Sequence, residues 1–253
     1  VSLVSFGHVT GIFLGQEDVQ KQQQTAERHG FQKVSQLKLA VVKKIREFVA
    51  GGGYMFAMCS ATDSYDVALA ADGLDICDVM FDGDPIGAGH PEMLNYDNCI
   101  AFTDFKVSTN PQEYEISDID VTNYRSRSIN ETNDVFSLFD FSAKWDPVPT
   151  MLTQNHEKLI KGFMGQTTAF NKDLVKSEVI VLGDNLAFNE DRYIHGNFGN
   201  GFWTFFGGHD PEDYQHLVGD PPTELDMFPN SPGYRLILNN ILFPAAKKKK
   251  QKT

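Results

Sequence analysis

The sequence predicts an α/β fold, a parallel sheet flanked by helices and carrying a β-rich insertion at about 72–176. Two observations lead to it. Between Val34 and Ala71 the chain reads as helix, glycine turn, buried strand and helix, one unit of a parallel sheet. From Glu178 onward strand-like runs return and end in an amphipathic helix over Ser231–Leu242. With 253 residues, 41% hydrophobic and 20 of them Phe, there is apolar material enough for one large domain.

Taken in order, Val1–Leu14 is apolar but has neither a positive start nor a cleavage site, so no signal peptide is expected and the compartment stays open. Glu17–Gly30 is rich in Gln and charge, a solvated helix or linker. The first strands of such a fold are missing or unrecognisable before Val34. In Val34–Ala50 the residues Val34, Leu37, Val41, Ile45 and Phe48 recur at spacings of three and four, one stripe of a helix, and Gly51, Gly52 and Gly53 end it. Tyr54–Cys59 is a continuous apolar run, as in a strand covered on both faces. Ser60 and Asp63 then read as a capping box opening the next helix.

Prolines, Asp and Asn dominate 72–155, which reads as loops and short strands, and a Gly- and Thr-rich stretch near Lys161–Phe170 as more strand and turn. Glu178–Leu182 is a strand. Arg192–Phe198 and Phe202–Phe206 flank Gly199-Asn200-Gly201 as a tight hairpin. In the last helix Tyr234, Ile237, Leu238 and Ile241 share the predicted buried face, with Pro232 in its first turn. The basic tail at 247–253 is expected to be disordered and solvated.

The formal charge of −12, with five lysines concentrated in that tail, leaves an acidic body that disfavours nucleic acid and anionic membrane. No apolar run approaches the ~20 residues of a membrane span. Three cysteines, Cys59, Cys77 and Cys99, cannot all pair within the chain.

Cys59 is the candidate nucleophile. It falls at the carboxyl end of a strand and immediately before a helix, where unpaired N–H groups lower a thiol pKa and bind an oxyanion. Ala57 and Ala61 are the small neighbours that a sharp elbow requires. Ser60, Ala61 and Gly208 are the candidate oxyanion and pocket residues. His209, delivered by Gly207 and Gly208 from an apolar strand, is the candidate base, with Asp210 or Glu212 to orient it. His90 competes for that role. His209, Glu212, Asp213 and His216 fit no standard metal spacing, so no metal is assigned, and no cofactor. The aspartates at 72, 75, 78, 82 and 84 read as a solvated acidic surface, and Phe136, Phe139, Phe141 and Trp145 as core of the insertion.

Gly52-Gly53-Tyr54-Met55-Phe56-Ala57-Met58-Cys59 resembles the nucleophile strand and elbow of class I glutamine amidotransferase-like proteins. Asn200–His209 resembles their late hairpin, whose second strand delivers a histidine. Here His209-Asp210-Pro211-Glu212 stands where the amidotransferases have His-Pro-Glu, an ending closer to the Gly-His-Asp of the trehalose-utilisation branch. Cys59-Ser60-Ala61-Thr62-Asp63 and Ser231-Pro232-Gly233-Tyr234-Arg235 resemble a bacterial group often labelled asparagine synthetase B. The resemblance implies a flavodoxin-like parallel sheet and a cysteine-dependent amidohydrolase acting on a small amide or acyl substrate such as glutamine. That activity would be the ammonia-supplying part of an asparagine synthetase-type reaction, with the inserted region as a surface for a protein partner. The chain has no Ser-Gly-Gly-x-Asp-Ser pyrophosphate loop and no P-loop, so nothing in it supports ATP-dependent synthesis. The alternative is a non-catalytic binding or accessory module that retains the fold, which Ala61 in place of glycine and the altered His209 segment both allow.

Overall fold

The computed structural model describes residues 16–79, 85–88, 92–110, 112–113, 115–122, 129–130, 132–141, 157–212 and 221–246. It is a mixed α/β structure. Among the described residues four helices, α1 (Gln16–Arg28), α2 (Val34–Ala50), α3 (Ser60–Ala70) and α4 (Pro232–Leu242), accompany one seven-stranded sheet. The strands are β1 (Tyr54–Met58), β2 (Val135–Leu138), β3 (Leu159–Lys161), β4 (Phe170–Asn171), β5 (Ile180–Asn185), β6 (Glu190–Phe198) and β7 (Gly201–Phe206).

The sheet runs β1-β7-β6-β5-β2-β3, with β4 paired to β6. Here the structure departs from the expected parallel sheet: among the described residues only β1 and β7 run parallel, and every other pair is antiparallel. Connection length is the cause. One helical turn (Leu186–Phe188) joins β5 to β6, and Gly199-Asn200 joins β6 to β7, both too short for a parallel crossover. The segment expected as an insertion supplies β2, β3 and β4 to this same sheet.

Period-two alternation divides β1 and β7 between two cores. Met55, Ala57, Trp203 and Phe205 pack with Val42 of α2 and Tyr65 and Leu69 of α3. Tyr54, Phe56, Met58, Phe202 and Phe206 face Leu236 of α4, Phe243, Phe136 and Ile160. Phe102, Phe105, Ile119 and Phe170 fill the first core, so the irregular middle of the chain is structural ballast for the helical face.

Two predicted helix faces shift. On α2 the buried residues are Val42 and Val49, while Phe48 is 61% exposed and its ring lies over Gly53. On α4 the buried residues are Gly233, Leu236 and Asn240, and Leu238 and Ile241 are exposed. Asn240 turns inward because its amide bonds the Tyr193 hydroxyl at 3.1 Å and the Leu236 carbonyl at 2.8 Å, and its carbonyl accepts from Tyr54. An apolar pattern cannot register a satisfied polar group. Pro232 stands in the first turn of α4 as expected, and Ser231 Oγ caps the helix by accepting from the Tyr234 amide.

Phe136 is buried and Phe139 exposed, while Trp145 lies outside the described residues. Of the acidic run, Asp72 pairs with Lys43 and Asp75 with Lys33, each at 2.7 Å, and Asp82 and Asp84 lie outside the described residues. Among the described residues no helix is long and apolar enough to cross a membrane.

Candidate active site

A strand-to-helix elbow forms where β1 ends. Cys59 has φ 57° and ψ −142°, a region that residues with a Cβ rarely enter. It is held there from both sides. Its N–H donates to the Phe206 carbonyl of β7 at 3.0 Å, and its own carbonyl accepts from the Thr62 amide and hydroxyl as α3 begins. The predicted capping box does not form. Cys59 itself occupies the N-cap without a side-chain bond, and Asp63 turns its carboxyl away, to the hydroxyl of Thr167 at 3.1 Å.

His209 arrives as expected, from the end of the strand next to β1. Its Nδ1 lies 2.8 Å from Asp210 Oδ2, which leaves the Nε2 edge for Cys59. The two side chains lie side by side against Gly165: a Cβ added there would meet Cys59 Sγ at 3.0 Å and His209 Cδ2 at 3.1 Å. Asp210 is thus the carboxylate paired with the imidazole. Glu212, at φ 68°, has no bond to the imidazole.

Electrostatics follow from this geometry. Burial alone would push the Cys59 thiol up. The hydrogen bond and charge of His209, joined by the backbone amides of Thr167 and Ser60, outweigh it and bring the thiol below its ordinary value. His209 is raised to about 10, first by its bond to Asp210 and then by Cys59, against the opposing effect of burial. The pair therefore favours thiolate and imidazolium. Cys59 is 8% exposed, whereas 44% of the His209 side chain is open, so the pair is more accessible on the histidine side.

The loop 162–168 completes the site, and the sequence reading did not single it out. Gln166 N donates to Cys59 Sγ at 3.0 Å across 107 positions of sequence. The Met164 carbonyl accepts from the amides of His209 and Asp210 at 3.1 and 3.2 Å, tying the base to the same loop. The only sequence signal was its Gly-Thr composition, with Gly165 at the point of closest approach.

Gly208 has a different role from the one predicted. Its N–H is spent on the Thr167 carbonyl at 2.6 Å and is not free for an oxyanion. Its φ is +76°, and a Cβ would stand 1.6 Å from the Phe163 carbonyl oxygen, so glycine is required for close packing. Ser60 presents its amide to the sulfur; Ala61 lies within the first turn of α3. His90, Asp213 and His216 lie outside the described residues. The chain matches no protein family, no curated protein and no solved structure.

Proposed function

We propose that this protein is a cysteine-dependent amidohydrolase of the glutamine amidotransferase-like kind. The observation that carries the reading is a cysteine in a strained elbow whose sulfur accepts an amide N–H and lies beside a histidine that is itself paired with a carboxylate. The part of the amidotransferase-like fold on which the reading rests is the parallel pair of β1 and β7, which carries nucleophile and base at the same end.

The chemistry proceeds in two steps. The Cys59 thiolate attacks the carboxamide carbon, a C–S bond forms and the carbonyl electrons pass to oxygen. Amides at Ser60 and Gln166 flank that oxygen and stabilise its charge. Collapse of the intermediate breaks the C–N bond as the His209 imidazolium gives its proton to the leaving nitrogen, which departs as ammonia. Neutral His209 then takes a proton from water, the hydroxide attacks the thioester, and the acid leaves with Cys59 and His209 restored. Ammonia is released or passed to an acceptor on a partner.

The test is ammonia release from glutamine and other small carboxamides by the purified protein, with Cys59→Ser as control. Release that disappears in the control, with a Cys59-linked acyl adduct visible by mass, supports the reading. Release that survives in Cys59→Ser, or no release from any amide by the intact protein, overturns it.

A further inference from the structure

Two buried carboxyl groups stand behind the reactive pair, and the proposed mechanism uses neither. Asp63 and Asp120 are each 1% exposed. Asp63 lies one turn into α3 from Cys59 and accepts from Thr167 Oγ1 at 3.1 Å. Asp120 accepts from the Thr122 amide at 2.9 Å and from its hydroxyl at 2.5 Å. That hydroxyl in turn accepts from the Thr168 amide at 2.8 Å. Adjacent residues of one loop, Thr167 and Thr168, are thus tied to two acids, the first directly and the second through Thr122. The same loop places Gln166 N on the sulfur and accepts from Gly208.

Carboxyl groups so deeply buried and so close to one another cannot all be charged. Burial raises Asp63 to about 7, with the charge of Cys59 adding to the rise; burial also raises Asp120, with Asp63 and Glu115 adding to it. Both acids can therefore sit protonated beside a thiolate while still accepting hydrogen bonds. A packed apolar pair would fill the space as well but would not hold a threonine hydroxyl in one orientation.

We propose that Asp63 and Asp120 are positioning residues: through Thr167 and Thr122 they latch the 162–168 loop so that its amide N–H groups stay aimed at the Cys59 sulfur. The inference rests on Cys59 being a reactive thiolate but not on which substrate it attacks. Its consequence is that thiol acidity, and not only stability, depends on one hydroxyl that never touches the sulfur.

The experiment is the pH profile of Cys59 alkylation by iodoacetamide in the full chain, followed by mass mapping. In Thr167→Val the thiol pKa rises, and alkylation in the acid limb slows by about tenfold for each unit of that rise. Thr167→Ser, which keeps the hydroxyl, restores the wild-type profile. Asp63→Asn keeps an acceptor for Thr167 and leaves the position neutral, so its thiol pKa does not rise. Asp63→Ala behaves as Thr167→Val, and the double variant is no worse than either single one. Should Asp63→Ala fail to fold, the Val and Ser variants at position 167 decide. A Thr167→Val profile that coincides with wild type while the urea midpoint falls shows a merely structural bond and overturns the latch. A wild-type thiol of ordinary acidity overturns the latch and the active-site reading together. A depressed wild-type thiol that Thr167→Val leaves unmoved overturns the latch alone, and the glutamine assay stands separate from both.

Discussion

Replacing Cys59 by glycine and by alanine gives a paired measurement of the strain held at the elbow. Both variants lose the sulfur, its bond from Gln166 and its contact with His209, so these losses cancel in the comparison. What differs is a Cβ at φ 57° and ψ −142°. At an unstrained position alanine is the more stable, because glycine loses more freedom on folding, by about 0.5–1 kcal/mol. Holding a Cβ in a sparsely populated region costs about 1–3 kcal/mol. The second effect outweighs the first, and Cys59→Gly is expected to be more stable than Cys59→Ala by about 0.5–2 kcal/mol. For a chain of this size each kcal/mol moves the melting point by about 2–4 °C, so scanning calorimetry on the two variants should separate them by a few degrees. An alanine variant as stable as the glycine one would mean that the backbone at 59 is not strained, and the nucleophile-elbow argument would fall with it.

Other consequences are open to the same kind of test. Gly208→Ala should lower stability by about 2–4 kcal/mol in urea titration, since it sets a left-handed φ against a collision with the Phe163 carbonyl; a loss below 1 kcal/mol would show that the loop yields freely. Asp63 carries a folded pKa of about 7 against an ordinary 3.8, so its contribution is fully present below 3.8 and is lost as pH rises through about 7. Asp63→Asn should therefore gain stability relative to wild type across that window and no further above it, as read from urea midpoints at stepped pH. Arg192 and Asp134 form an ion pair in which both side chains are 0% exposed. Asp134→Ala leaves the guanidinium buried and unpaired and should cost about 3–5 kcal/mol, whereas a loss under 1 kcal/mol would mean that water reaches the arginine.

The parts of the site that could be read from the chain are those encoded locally. The run from Tyr54 to Cys59 ends in a strand-helix junction because its composition and the glycines before it leave few alternatives, and α2 falls where its periodicity puts it and β1 where the apolar run does. His209 was legible for the same reason, as the end of an apolar strand turned by two glycines. The loop 162–168 was not legible, since its role lies in contacts made across about a hundred positions by backbone amides that every residue owns. Asp63 was misread because an S-x-x-D pattern is a local rule, and a threonine from elsewhere outbid the helix terminus for the carboxyl. Sheet direction escaped for a related reason: strand composition says whether both faces are covered, while direction is set by the lengths of connections whose ends composition marks only loosely.

The pairing of β1 with β7 has a consequence beyond chemistry. Met58 sits opposite Phe206, and the next amide along, that of Cys59, still bonds across to β7. The histidine follows three residues beyond Phe206, so the heightened thiol acidity exists only while these two strands keep their register. A slip of one residue would displace the sulfur by about 3.3 Å and turn it to the opposite face. Alkylation under mildly acidic conditions then becomes a clock for the folded state. The rate at which Cys59 is capped in rising urea would report the parting of β1 from β7 at this end of the sheet, from within the chain and without an added dye.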